Sequence, residues 1–220
     1  MPELRIVSRP DLRAELAHLR TKDLNFETGE LNDDAREPGW FLDDYRQALP
    51  PEPPGPPVEG GSWEVARRLS RSMEFFDPAL VRAFYDPRDP FVGRTMVLEV
   101  RFSWLRVYAG VRIGGLEDLT GDREAGRARV WAWNYRTLED HFEVGQIDYQ
   151  VWKWLDSGDV EFRIHALSKP AEIDHFFIAL GFRMFGRSTQ KRFARHACQR
   201  MASLTSERLA RGRTGSHSRA

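Results

Sequence analysis

Strict alternation of apolar and polar residues runs through the second half of the chain. Apolar side chains occupy every second position in several runs, a spacing that puts them on one face of a β-strand. Short segments rich in Gly, Asp and Ser separate the runs, and such segments are typical of turns. The pattern predicts a meander of about five antiparallel strands, over residues 96–104, 107–113, 129–135, 147–155 and 160–166.

The hydrophobic spacing changes after Ser168-Lys169-Pro170. From Ile173 to Leu204, apolar residues recur every three or four positions, which predicts a long amphipathic helix. An antiparallel sheet with one apolar face must bury it, and this helix is the only predicted element large enough to cover it. We therefore predict an α+β fold, in which a curved antiparallel sheet grips a long C-terminal helix and leaves a cavity between them.

Two shorter elements are predicted between residues 62 and 90. Trp63, Val65, Leu69, Met73 and Phe75 fall on alternate positions, which favours a strand, although arginines interrupt the same face. The following Asp77-Pro78 and the apolar residues up to Tyr85 indicate a short capped helix. Further on, Asp118 to Gly126 is interpreted as a turn.

The N-terminal part has a different composition. Residues Leu12 to Leu24 fit a short amphipathic helix with Asp11 as its N-cap. The chain then becomes acidic and proline-rich, ending in PPEPPGPPVEGG, which favours a linker or arm. Within it, Gly39 to Tyr45 is an apolar cluster expected to dock on its own domain or on a second copy. We predict an arm over residues 1–60, a helix-grip domain over 61–207 and a disordered basic tail over 208–220.

Composition narrows the functional classes. The chain has 220 residues, of which 41% are hydrophobic, enough for a substantial core. Acidic and basic residues balance at 33 each, so no net positive charge favours nucleic acid or an anionic membrane. Cys198 is the only cysteine, which excludes an internal disulfide and fits a reducing compartment. No apolar run approaches ~18 residues, so we expect a cytoplasmic protein without a membrane span.

Aromatic and polar residues on the predicted strands and helix are the candidates for lining the cavity. For the tryptophans the alternative is a place in the core or on a sheet face, and for Tyr135 and Thr137 it is cross-strand pairing. The predicted ligand-binding residues are Trp131, Trp133, Tyr135, Thr137, His141, Trp152, Phe162 and Phe177.

His141 and Glu143 are the candidate catalytic residues. They are two positions apart, so on an extended chain both point to the same side and could share a proton or a metal. The alternative is a turn in which both side chains bond to nearby backbone. Two ligands without a third make a poor metal site, and nothing in the spacing favours His165, His175 or His196 as the third. We therefore predict no metal and no cofactor.

Arg101 and Arg163 are expected in the middle of strands. A buried guanidinium needs a carboxylate partner, and Glu99, Glu143, Asp148 or Glu161 could supply one.

One stretch of the sequence resembles a known family. The run from Trp133 to Gly145 contains Tyr-x-Thr-Leu-x-x-His-x-Glu-x-Gly, and Asp159 to Phe162, Ser168 and Gln190 to Phe193 continue the likeness. Together they resemble the domain-of-unknown-function family numbered nineteen-ninety, over about Gly61 to Met201. Asp140 and Gln146 depart from it, since glycine and glutamate are common there. The family is similar to the START-like, birch-pollen-allergen-like helix-grip superfamily, which implies small-molecule binding but no established reaction.

Three functions are consistent with these observations. The preferred one is a module that binds a hydrophobic or amphipathic small molecule between sheet and helix. The second is an enzyme of the same fold that uses His141 and Glu143 as an acid/base pair. The third is a homodimer or larger assembly in which the arm around Trp40 and Phe41 packs on another copy.

Overall fold

Seven β-strands form a single antiparallel sheet in the computed structural model, which describes residues 11–30, 39–102, 105–171 and 187–217. The strand order is β1-β7-β6-β5-β4-β3-β2, so β2 to β7 follow one another as neighbours and β1 adds beside β7. The predicted antiparallel meander is confirmed. The strands are β1 Phe41–Leu49, β2 Val81–Phe84, β3 Thr95–Phe102, β4 Leu105–Arg123, β5 Gly126–Thr137, β6 Glu143–Trp154 and β7 Val160–Pro170.

Three α-helices are described: α1 Leu12–Leu19, α2 Ser62–Arg71 and α3 Arg187–His217. Residues of α2 and α3 share one hydrophobic core with one face of the sheet, which we call the inner face. Helix α1 packs on the opposite, outer face. The α+β helix-grip fold is therefore confirmed. The helix predicted from Ile173 is described only from Arg187, and it runs to His217, where the sequence predicted a disordered tail.

Helix α2 corrects the strand predicted from Trp63 to Phe75. Its buried residues lie at helical spacing, and the arginines that broke the alternation of the predicted strand fall on the other side of the helix. A carboxylate from outside the helix helps it begin, because Glu52 Oε1 accepts a hydrogen bond from the Trp63 backbone N–H at 2.8 Å. The buried positions are Ser62, Trp63, Val65, Ala66, Leu69 and Ser70.

Two further predictions in the first half of the sheet were wrong. After Asp77, whose Oδ1 accepts from the Ala79 N–H at 2.9 Å, the chain forms strand β2 rather than a helix, and Val81 pairs with Val100. The turn predicted from Asp118 to Gly126 is mostly strand, because β4 and β5 remain paired up to Arg123 and Gly126. In both places pairing with a long neighbouring strand overrides the local sequence signal.

The proline-rich segment is fixed on the domain by a buried lysine. Lys153 of β6 is fully buried, and its Nζ donates to Glu52 Oε2 at 2.6 Å and to the carbonyls of Pro53 and Pro56 at 3.0 and 2.9 Å. All three ammonium donors are thereby satisfied. The segment was interpreted as a flexible linker, and the contacts of Lys153 correct this.

The apolar cluster in the predicted arm forms part of the sheet. Strand β1 pairs with β7 along its whole length, from Phe41 opposite Ser168 to Leu49 opposite Val160. The Lys169 ammonium lies 4.6 Å from the centre of the Trp40 ring, a cation–π contact. Docking of this cluster on its own domain is therefore confirmed, and β1 is an edge strand rather than a linker.

The mid-strand arginines have the expected carboxylate partners. Arg101 Nε lies 2.6 Å from Glu99 Oε1, and Arg163 Nη2 lies 2.7 Å from Glu161 Oε1. Each pair is two residues apart on the same strand, so both side chains leave the same face.

Candidate ligand-binding site

A cavity of about 100 Å³ lies between the inner face and α3. Its apolar wall comes from strands β2, β3, β6 and β7 and from α3. A group of polar residues gathers where β5 ends and β6 begins. Among the described residues, the apolar lining includes Leu80, Val81, Leu98, Val100, Ile147, Ile164, Ala166, Phe193 and Ala194, and the polar lining includes Tyr135, Thr137, His141, Glu143, Ser168 and Gln190.

The loop that connects β5 to β6 brings the polar residues together. The Thr137 hydroxyl, at the end of β5, accepts a hydrogen bond from the Gly145 N–H at 2.9 Å. Gly145 has φ +150°, and a Cβ there would lie 2.1 Å from the Leu167 carbonyl oxygen. Only glycine allows β6 to approach β7 this closely. Thr137 and Gly145 thus fix both ends of the loop that carries His141.

His141 is a buried, neutral imidazole. Its Nδ1 lies 2.9 Å from the Glu143 backbone nitrogen and 3.1 Å from the Glu143 carbonyl oxygen, so the shorter contact makes Nδ1 the acceptor. The proton of the neutral ring is then on Nε2. The ring stacks on Phe142, with centroids 4.5 Å apart. Burial lowers the pKa of His141 to about 4, so the ring is uncharged at neutral pH.

Glu143 connects the sheet to α3. Its Oε1 accepts a hydrogen bond from Gln190 Nε2 at 2.6 Å, and the same nitrogen lies 3.5 Å from Ser168 Oγ. The carboxylate of Glu143 therefore contacts helix α3, while the His141 ring contacts the Glu143 backbone. For His141, this arrangement agrees with the alternative given above, in which the side chain bonds to nearby backbone.

Tyr135 adds a neutral hydroxyl to the cavity wall. Burial raises the pKa of this phenol, and the negative charge of Glu143 raises it further. Its ring packs against Tyr149, with centroids 5.9 Å apart. Burial also raises the pKa of Tyr149, so both hydroxyls keep their protons at neutral pH.

The structure separates the predicted lining residues into three groups. Tyr135, Thr137 and His141 line the cavity, together with Glu143. Phe177 lies outside the described residues. The other four, Trp131, Trp133, Phe162 and Trp152, are not part of the cavity lining.

Three of those four are core residues. Trp131, Trp133 and Phe162 are at most 2% exposed and are covered by α2 and the residues after it. Trp133 Nε1 donates to Ser70 Oγ of α2 at 2.9 Å. The core alternative for the tryptophans is therefore correct for Trp131 and Trp133.

Trp152 lies on the outer face, which corrects its assignment to the cavity. It packs beside Trp154, with ring centroids 5.5 Å apart, against Ala128, Val130 and Ala132. The Arg163 guanidinium lies 4.0 Å from the centre of its ring. Alternation explains the error, because Trp152 is an odd number of residues from Val151 and Tyr149 of the inner face.

Several lining residues were not among the predictions. Gln190, Phe193 and Ala194 of α3, Ser168 of β7 and Tyr45 of β1 line the cavity. Gln190, Phe193 and Ser168 belong to the sequence pattern that resembles the family, so that pattern was an available signal. Tyr45 gave no signal, since its place depends on β1 joining the sheet.

Metal binding has no support in the described part of the chain. No group of three His, Cys, Asp or Glu side chains there is arranged to hold an ion. Two of the histidines considered as third ligands are engaged elsewhere: His165 Nδ1 lies 2.7 Å from Asp44, and His196 Nδ1 lies 3.1 Å from Asp77. His175 lies outside the described residues.

The class defined by these features is an α+β helix-grip protein with a small cavity under its C-terminal helix. The sequence profile of the domain of unknown function DUF1990 matches residues 27–200, and the chain belongs to that family. Asp140, in the loop before β6, has φ +65°, the left-handed conformation that favours glycine. Among the described residues, no helix has the length and apolar character needed to cross a membrane.

Solved structures give two distant similarities. The crystal structure of Ara h 8.0201 is 7% identical, with a TM-score of 0.42, and the match covers 77% of this chain and 99% of that one. Ginseng major latex-like protein 151 from Panax ginseng is 9% identical, with a TM-score of 0.43, and the match covers 74% and 96%. No curated protein matches the sequence. The fold assignment therefore rests on the strand order and helix positions of this chain.

Proposed function

We propose that this protein binds a compact hydrophobic or amphipathic molecule in the cavity between the inner face and α3. The observation that supports the proposal is the mixed lining of one cavity, with apolar walls and polar groups gathered at one end. Ligand sites typically combine apolar walls with a few polar groups that fix orientation. The volume of about 100 Å³ is below the ~300 Å³ of common small-molecule sites, so we expect a small molecule or one end of a longer one.

The lining also suggests an orientation for the molecule. Its apolar part would contact Leu98, Val100 and Ile164, and its polar group would face Tyr135 and His141. Among the described residues, His141 Nε2–H has no protein partner, so a hydroxyl or carbonyl oxygen of the ligand could accept its hydrogen bond. The neutral state of both side chains favours an uncharged polar group at this position.

Acid/base catalysis by His141 and Glu143 is the second candidate, because both residues line the same cavity. A general base is most effective when its pKa is near the working pH, and a pKa of about 4 makes His141 a weak base at pH 7. The Glu143 carboxylate bonds to Gln190. Binding without reaction thus has the stronger support.

A homodimer and a cytoplasmic location stay predictions. Phe41 at the start of β1 is 41% exposed and could pack against a second copy. The mass of the protein in solution would decide between monomer and dimer.

Benzyl alcohol is a suitable probe, because its ring fits the apolar wall and its hydroxyl fits the polar end. We expect titration of the ¹⁵N-labelled protein to shift the amide signals of Tyr135, His141 and Phe193 in a saturable way. Ala194→Leu should remove this response because the larger side chain fills the cavity. Trp152→Ala, on the outer face, is the control and should leave the response intact. Shifts confined to the outer face, or equal shifts in Ala194→Leu, would contradict the proposal.

A further inference from the structure

The segment from α1 to Asn25 packs on the outer face, behind the loop that carries His141. Leu16, Leu19 and Leu24 form a hydrophobic cluster with Val97 and Leu138. Helix α1 lies very close to strand β4, since a Cβ on Gly110 would lie 2.4 Å from a Leu19 methyl carbon. The end of α1 is also held by Arg112, whose Nη2 donates to the carbonyls of Leu19 and Lys22 at 3.2 and 2.8 Å.

Asn25 contacts both ends of the His141 loop. Its Oδ1 accepts a hydrogen bond from the Thr137 hydroxyl at 2.6 Å, and its Nδ2 donates to the Glu143 carbonyl at 2.9 Å. Glu143 is also the residue whose N–H donates to His141 Nδ1. One side chain thereby holds the residue before the loop and the residue that orients the imidazole.

The residues before Asn25 hold the middle of the same loop. Glu139 N–H donates to the Asp23 carbonyl at 2.9 Å, and Leu24 forms a β-bridge with Leu138. Lys22 Nζ lies 2.8 Å from Asp140 Oδ2. The segment therefore contacts Leu138, Glu139 and Asp140 as well as the two ends of the loop.

These contacts come from outside the part of the chain that matches the family. The match begins at residue 27, whereas α1 and Asn25 precede it. The loop that carries His141 therefore lies inside the matched region and is held by a segment outside it.

We propose that residues 12–25 act as a clamp that sets the position of the His141 ring in the cavity wall, with Asn25 as the positioning residue. Without the Asn25 amide, the Thr137 hydroxyl and the Glu143 carbonyl each lose a partner at opposite ends of the loop. The loop then opens more readily, and water reaches the imidazole. The clamp sets the geometry of His141 whether or not a ligand binds.

The titration of His141 is the readout, because it depends on the burial that the clamp maintains. NMR titration of Asn25→Ala should give a His141 pKa about one unit or more above that of the unmodified protein, toward the ordinary value near 6.5. A merely destabilising substitution would lower the melting temperature without changing this pKa in the folded state.

Thr21→Ala is the matched control. The Thr21 hydroxyl donates to the His18 carbonyl at 2.8 Å, a hydrogen bond that stays within the same segment. This variant should keep the low pKa of His141. Asn25→Ser keeps a polar group, but its side chain is too short to reach both partners. This variant should raise the pKa of His141 by a smaller amount. It replaces Asn25→Ala in the test if that variant does not fold. A pKa that stays near 4 in the folded Asn25 variant would overturn the proposal.

Discussion

The two ends of the inner face differ in how completely the helices fill them. Under α2, the rings of Trp133, Phe75, Tyr149 and Phe162 are at most 1% exposed. Phe75 packs edge to face on Tyr149 and on Phe162, with centroids 4.9 and 5.1 Å apart. Toward the start of β6, the wall facing α3 includes smaller aliphatic residues, such as Val100, Ile164 and Ala166, and borders a cavity. We call these regions the packed end and the hollow end. The difference comes from what packs on the sheet rather than from aromatic content, since Tyr45, Tyr135, Phe142 and Phe193 line the cavity at the hollow end.

The largest expected effect concerns the buried ion pair at the packed end. Lys153→Ala should lower the free energy of unfolding by about 3–5 kcal/mol, because it leaves the Glu52 carboxylate buried without its cation. Urea unfolding followed by tryptophan fluorescence measures this change.

The double variant Lys153→Met with Glu52→Gln is the control for that pair. It removes both charges, so it should be more stable than Lys153→Ala alone. If Lys153→Ala unfolds like the unmodified protein, the lysine is not what fixes the proline-rich segment.

The next largest expected effect is a dependence of stability on pH, which arises from His141 at the hollow end. The pKa of His141 is about 4 in the folded protein and about 6.5 when unfolded, so between these values the unfolded chain binds more protons. The contribution of His141 to the free energy of unfolding is fully present above about pH 6.5. It is lost as the pH falls toward 4, and the whole loss is about 3 kcal/mol. Urea unfolding between pH 4 and 7 measures the slope.

His141→Gln separates this contribution from that of the carboxyl groups. The glutamine does not titrate, so the variant should lose less stability than the unmodified protein over the same pH range. Equal slopes in both proteins would mean that His141 is not buried as described.

The smallest expected effect is a difference in stability between two Ala→Leu substitutions, one in each of two helices. Ala66 of α2 is fully buried at the packed end, and Ala194 of α3 is 5% exposed and lines the cavity. Ala66→Leu should destabilise the protein by about 1–3 kcal/mol, because a close-packed core has no room for the added carbons. Ala194→Leu should change stability by less than about 1 kcal/mol, because its side chain enters existing space. Melting temperatures of the two variants, measured side by side, test whether the ends differ in packing.

The sequence predicted the fold better than it predicted the site. Alternation over β3 to β7 is a strong signal because each strand has one buried face, and this was sufficient for the sheet. The cavity lining was predicted only in part: Tyr135, Thr137 and His141 line the cavity, whereas Trp131, Trp133 and Phe162 fill the core. Aromatic size alone does not distinguish a cavity wall from a packed core, since both require apolar surface.

The mistakes in the first half of the chain have a common physical cause. Residues 62–75 satisfied an alternating pattern by coincidence, and only the position of the Glu52 carboxylate, which accepts from the Trp63 N–H, shows why a helix begins there. The proline-rich segment has the composition of a linker, and it is ordered by Lys153, a residue about a hundred positions away. Such contacts between distant residues leave no local trace in the sequence.

By itself, the sequence determined the antiparallel meander, the amphipathic C-terminal helix and the position of the polar loop with His141 and Glu143. These features depend on periodicity and turn chemistry, which act over a few residues. The tertiary structure decided which end of the sheet is filled, that β1 joins the sheet edge, and that Asn25 holds the His141 loop. Those outcomes depend on which distant side chains meet, and packing of the complete chain settles that.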